Sequence, residues 1–158
     1  MPLRRGPDGR WEKRVMGEAG GAFTGGCFCG KVRYAVTGAP DWVAYCHCES
    51  CRRQVAAPVA PYLGVKRSQV AFSGGAPKTH RSSPGVTRSF CGDCGTPIAY
   101  ESERRPDDID LHLGTLDQPE RFAPTAHVFA AERLPWFDTR DELPRHAAGG
   151  SDSDGGDA

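Results

Sequence analysis

Cysteine is the residue whose spacing carries chemistry in this chain. Seven occur, in three tight clusters: Cys27-Phe28-Cys29, Cys46-His47-Cys48-Glu49-Ser50-Cys51 and Cys91-Gly92-Asp93-Cys94. An odd number rules out complete internal disulfide pairing, and free buried thiols do not usually gather in this way; metal ligation is the leading use. If the first cluster is extended, Cys27 and Cys29 point to the same side. Cys91-x-x-Cys94 has the spacing of a zinc knuckle. Gly30 and Gly95 follow these pairs directly. A residue without Cβ lets the chain turn tightly around an ion and aim N–H groups at the sulfurs. Neither common ferredoxin spacing is present, so zinc is favoured over an iron–sulfur cluster.

Structural zinc takes four ligands, so seven cysteines divide into four plus three. Cys27, Cys29, Cys91 and Cys94 make a closed site that joins distant parts of the chain. Cys46, Cys48 and Cys51 lie within one short stretch and make a three-thiolate site. Its fourth position is open to water, substrate or another protein group, and an open position is what separates catalytic from structural zinc. The expectation is two zinc ions per chain, one structural and one catalytic. In a rival reading both sites are structural, the second closed by His47, another histidine or an aspartate. The chain is then a non-catalytic, zinc-stapled binding module. As a strand neighbour of two ligands, His47 is expected to point away from the metal.

The elements that must position these clusters are short. The chain has 158 residues, of which 20 are Gly and 13 are Pro, a share that excludes a helical bundle. Lys31 to Thr37 alternates, with Val32, Tyr34 and Val36 on one face. Trp42 to Cys46, Val59 to Val65, Gln69 to Ser73, Thr87 to Phe90, Ile98 to Glu101 and Thr125 to Ala130 are further strand candidates. Pro58 and Pro61 confine the Val59–Val65 run to an edge or a bulge. Ile109, Leu111 and Leu113 alternate with Asp110 and His112. One short helical turn is expected over Glu49–Gln54. Tyr45, Trp136 and Phe137 read as core or pocket wall. The fold class is mainly β, with short antiparallel strands stapled by zinc. Residues 1–21 read as a flexible N-terminal extension, 22–146 as the zinc domain, and 147–158 as a disordered acidic tail.

Charge narrows the partners. Lys+Arg and Asp+Glu are 20 each. No basic footprint points to nucleic acid, and no polybasic patch or long apolar run points to a membrane. Met1 to Gly20 has no apolar core of a secretory signal, so a cytoplasmic location, with reduced thiols, is expected.

Three segments carry a resemblance: Gly26-Cys27-Phe28-Cys29-Gly30-Lys31-Val32-Arg33-Tyr34, Cys46-His47-Cys48-Glu49-Ser50-Cys51-Arg52-Arg53 and Phe90-Cys91-Gly92-Asp93-Cys94-Gly95-Thr96-Pro97. Together with Gly114-Thr115-Leu116-Asp117, Pro124-Thr125-Ala126-His127-Val128 and Leu134-Pro135-Trp136-Phe137, they resemble the glutathione-dependent formaldehyde-activating family, which includes centromere protein V-like proteins. The resemblance covers about residues 22–146. It implies a β-tent fold, zinc, and the same division of ligands. It also implies a carbon–sulfur lyase activity that joins formaldehyde and glutathione into S-hydroxymethylglutathione. On that reading Cys46, Cys48 and Cys51 are catalytic, and His127 is the acid/base candidate. Arg52 and Arg53 would clamp the carboxylates of a thiol such as glutathione. The chain departs from the family after the second cluster. Gln54-Val55-Ala56-Ala57-Pro58-Val59 stands where a Gly-containing stretch and an aromatic are common.

Overall fold

Short β-branched and aromatic runs, cut by Gly and Pro, fold here as strands. The computed structural model describes residues 21–149. The expected extension and acidic tail therefore lie outside the described residues, except for Gly21 and residues 147–149. Among the described residues there are ten strands and one α-helix. The strands are β1 (Phe23–Gly26), β2 (Val32–Val36), β3 (Trp42–Cys46), β4 (Ala60–Lys66), β5 (Val70–Gly74), β6 (Lys78–Ser83), β7 (Val86–Phe90), β8 (Pro97–Ser102), β9 (Asp108–His112) and β10 (Ala126–Val128). Helix α1 is Glu49–Val55. The chain is mainly β, as its composition requires.

Two sheets form. The smaller has the order β1-β2-β5 and the larger the order β10-β3-β4-β9-β8-β7-β6. The pairings are antiparallel except that β10 runs parallel to β3. One core lies between the sheets. Phe23, Val32, Tyr34, Val36 and Val70 from the small sheet meet Val43, Leu63, Val65, Ile98, Ile109 and Leu111 from the large one.

The second face of the large sheet is also covered. Period-two alternation sends Trp42 and Cys46 of β3 and Ala60 and Tyr62 of β4 away from the core, into a separate cluster with Cys48 and Cys51. Register runs one row straight across this face: Arg88 opposite Tyr100, Tyr100 opposite Asp110, Asp110 opposite Gly64, and Gly64 opposite Trp42. The alternation expected in Ile109–Leu113 therefore does not separate buried from exposed. Asp110 and His112 are buried as well, because a central strand covered on both sides has no wet face.

Pro61 proves not to mark an edge strand, since β4 lies between β3 and β9. It is tolerated because it pairs with Tyr45 of β3 one residue beyond the β9 ladder, which begins at Tyr62 opposite His112. Trp136, expected as core or pocket wall, is 73% exposed and so is not part of the core. Gly64 shows how tightly the second face is packed. A Cβ there would lie 2.1 Å from Trp42 Nε1, so the indole sits directly on the backbone of β4.

Gly64→Ala should push Trp42 off this face and destabilise the fold by about 1–3 kcal/mol. Denaturant unfolding of the variant, with its midpoint compared to the parent, measures this.

Candidate metal centres

The first centre is built by two hairpin turns that meet. Cys27 and Cys29 lie in the turn between β1 and β2, and Cys91 and Cys94 in the turn between β7 and β8. The Gly30 N–H donates to the Cys27 carbonyl at 3.0 Å, and the Gly95 N–H to the Cys91 carbonyl at 2.9 Å. Gly30 and Gly95 have φ of 78° and 75°, the left-handed conformation that these turns need and glycine adopts freely. The Val32 N–H donates to Cys27 Sγ at 3.2 Å. The Phe28 N–H donates to Thr96 Oγ1 at 3.1 Å across the two turns, and Lys31 pairs with Asp93 beside them.

The four ligand atoms lie within 4.8 Å of one another. Cys27 and Cys29 Sγ are 3.4 Å apart, and Cys29 and Cys91 Sγ 3.8 Å apart. Sulfurs bonded tetrahedrally to one zinc at 2.3 Å stand about 3.8 Å apart. The donor set fits an ion of that kind. The pairing the spacing predicted is thus the pairing the fold brings together, and it links one sheet to the other.

The second centre lies where β3 runs into α1. Cys46 ends the strand, Cys48 caps the helix, and Cys51 sits in its first turn. The Cys51 N–H donates to Cys48 Sγ at 3.3 Å. The three sulfurs lie within 4.8 Å of one another, and all three residues are buried. No other Cys, His, Asp or Glu among the described residues brings a ligand atom into this group. Hydrogen bonds from Cys46 and then Cys48 hold Cys51 down to about 2, with the Arg88 charge helping. Cys46 is pushed up, first by Cys48. One thiolate thus forms readily, and a cation must replace the remaining protons for all three to ionise.

His47 does point away from the three sulfurs, into a buried chain of its own. Its Nε2 lies 2.7 Å from Nδ1 of His127, whose Nε2 lies 3.1 Å from a carboxylate oxygen of Asp141. The parallel pairing of β10 with β3 sets Val128 beside Cys46 and brings this chain together. A proton on His127 Nε2 faces the carboxylate, so His127 Nδ1 accepts from His47 Nε2. That leaves a lone pair on His47 Nδ1. Among the described residues this is the one buried side-chain nitrogen or oxygen without a hydrogen-bond partner. Burial pushes His47 down to about 4.

Arg52 is tied to backbone, its Nε donating to the His47 carbonyl at 2.8 Å and its Nη2 to that of Glu132 at 3.3 Å. Arg53 is exposed and pairs with Glu49 at 3.3 Å. Sequence reasoning passed over Arg88, which is buried against Cys51, and Tyr62, whose hydroxyl accepts from Arg88 at 3.4 Å. Tyr62 also packs on His112, with ring centroids 4.3 Å apart.

The family model described as glutathione-dependent formaldehyde-activating enzyme matches residues 22–132, which include all seven cysteines. Among solved structures, a crystal structure of a Rhodobacter sphaeroides protein is similar at 18% identity, with a TM-score of 0.51, over 77% of this chain and 98% of that one. At that identity the likeness concerns the fold alone. No curated protein matches the chain. No helix among the described residues is long and apolar enough to cross a membrane.

Burial also pushes His112 down to about 4, below its ordinary value of 6.5. The unfolded chain therefore takes up this proton first on acidification. The contribution of the neutral ring is whole above about pH 6.5 and is lost as pH falls toward 4, a change on the order of 2–3 kcal/mol. His112→Phe keeps a ring and removes the proton. Its unfolding free energy should fall less than that of the parent between pH 7 and pH 4.5, as measured by denaturant titration at each pH.

Proposed function

The chain belongs to the glutathione-dependent formaldehyde-activating enzyme family, and from that premise we propose that it is a zinc-dependent enzyme of the carbon–sulfur lyase type. Its substrate is a small thiol or thiol adduct. Glutathione with formaldehyde, or S-hydroxymethylglutathione in the reverse direction, is the first pair to test. The observation that carries the reading is the second centre: three buried cysteines converge, and no fourth protein ligand among the described residues joins them. In this reading residues 22–146 form one zinc domain with two zinc ions, and the thiols stay reduced in the cytoplasm.

Cys46, Cys48 and Cys51 would hold a zinc ion at the junction of β3 and α1, and the ion would supply positive charge that lowers the pKa of a substrate thiol. The substrate sulfur adds to the aldehyde carbon, and the proton it gave up ends on the aldehyde oxygen. The reverse reaction breaks the same carbon–sulfur bond, and neither direction needs an oxidant. Both ring nitrogens of His127 are engaged, by His47 and Asp141. In this reading His127 therefore serves by holding the His47–Asp141 chain in place beside β3 and not by meeting the substrate itself. Arg53 is the freer of the two arginines to meet a substrate carboxylate.

Protein purified without added metal should contain two zinc ions per chain by elemental analysis. One ion would leave only the closed centre and sink the catalytic reading. Zinc-edge X-ray absorption tests the open position directly. A binding thiol should raise the mean sulfur count from about 3.5 toward 4, the average of a three-sulfur and a four-sulfur site. A count that stays at about 3.5 with every thiol tried favours the binding module.

The two centres should also part under mutation. Cys51→Ser should lose one zinc and all thiol-dependent turnover while staying folded by circular dichroism. Cys94→Ser should unfold or aggregate.

A further inference from the structure

Arg88 is a buried cation whose partners are set out around the second centre. It is 5% exposed. Its Nη1 and Nη2 lie 3.9 and 3.8 Å from Cys51 Sγ. Nη1 also donates to the Tyr62 hydroxyl at 3.4 Å, Nη2 to Ser50 Oγ at 2.9 Å, and Nε to Ser82 Oγ at 3.1 Å. The guanidinium stands 5.1 Å over the Tyr100 ring. Groups from β4, β6, β8 and α1 thus hold one side chain of β7. Among the described residues no carboxylate pairs with it; the acidic groups it touches are the Cys51 thiol and the Tyr62 phenol.

We propose that Arg88 is the positioning residue that sets the ligand preference of this centre, making it take an anionic fourth ligand, a thiolate, over a neutral one. The inference rests on the zinc reading above and deepens it. Three thiolates around a divalent ion leave one net negative charge, and a fourth thiolate adds another. In a buried place each uncompensated charge is costly. A guanidinium held against Cys51 cancels one of them, so a thiolate enters a centre that is neutral with its surroundings. A neutral ligand adds no charge and gains little from the same cation. Arg88 also makes charge-assisted contacts to the Cys51 sulfur, which reduce what that sulfur donates to the ion. A purely structural role, tying β7 to α1, would not discriminate between ligands by charge.

Cobalt in place of zinc reports the fourth ligand through its visible spectrum. The whole chain, loaded with cobalt, is titrated with 2-mercaptoethanol as the anionic probe and imidazole as the neutral one. Arg88→Gln should weaken thiol binding by about ten- to hundredfold and change imidazole binding by less than about threefold. Arg88→Lys, which keeps the charge, should recover most of the thiol affinity. Equal losses for both probes, or no loss for the thiol, overturn the proposal. If the parent protein binds neither probe, the open-centre reading itself has failed, and the inference falls with it. Should Arg88→Gln not fold, Arg88→Lys decides alone. Its thiol-over-imidazole preference must stay within about threefold of the parent, and a collapse of the size expected for a neutral side chain overturns the charge argument.

Discussion

Everything else in this fold leans on the meeting of two turns. The β1–β2 turn belongs to one sheet and the β7–β8 turn to the other, and they bring four cysteine sulfurs within 4.8 Å of one another. Sulfurs that close repel when ionised, so the arrangement opposes itself unless a cation sits among them. With one, the repulsion becomes a cross-link between sheets. The Lys31–Asp93 pair spans the same turns, but both side chains are more than half exposed. An exposed pair contributes about 0–1 kcal/mol, too little to take over that role. The apolar core between the sheets is built from short strands, so a link at this end matters more than in a larger domain.

The two faces of the large sheet are packed differently. One face packs against the small sheet. The other carries Cys46, Tyr62, Arg88, Asp110 and His112, buried but polar, and the half-buried Tyr100. Such a face costs free energy unless its groups find partners. Arg105 meets Asp110 at 2.5 Å, Arg88 meets Tyr62 and Ser50, and the His112 ring packs on Tyr62 with centroids 4.3 Å apart. Burial still pushes Asp110 up to about 6 against the pull of Arg105. The sheet therefore keeps a charged and hydrogen-bonded layer at the one place where three thiols gather.

What was legible in the residues was local. Cysteine spacing and the glycines behind Cys29 and Cys94 needed no tertiary information, and the alternation of Val32, Tyr34 and Val36 reports a buried face directly. β1 escaped notice because half of it is glycine, which packs nothing. β6 escaped because its residues are largely exposed and polar, as an edge strand can be. The His47–His127–Asp141 chain depends on a parallel pairing between segments 80 residues apart, which no local pattern encodes. Arg88 did leave a trace. It shares strand parity with the buried Val86, and a cation at an apolar position of a strand is a reason to look for its partner. The departure after Arg53 also has a structural meaning. Ala56 caps α1 with φ of 51°, a left-handed conformation that glycine takes without strain. The backbone keeps the turn although the residue best suited to it is absent.

The two centres differ most in how much chain they enclose. Cys29 and Cys91 are 62 residues apart, whereas Cys46, Cys48 and Cys51 fall within one strand end and one helical turn. The chain entropy removed by a link grows with the logarithm of the loop it closes. On the zinc reading, the first ion restricts the unfolded chain far more than the second does. The β3–β4 ladder and the Cys51 N–H bond to Cys48 Sγ that caps α1 hold Cys46, Cys48 and Cys51 near one another, and neither needs a metal. A centre placed this way can exchange its fourth ligand, or lose its ion, while both sheets stay joined at the other end. On the proposed reading, loop length thus separates stability from reactivity, one set of cysteines serving each.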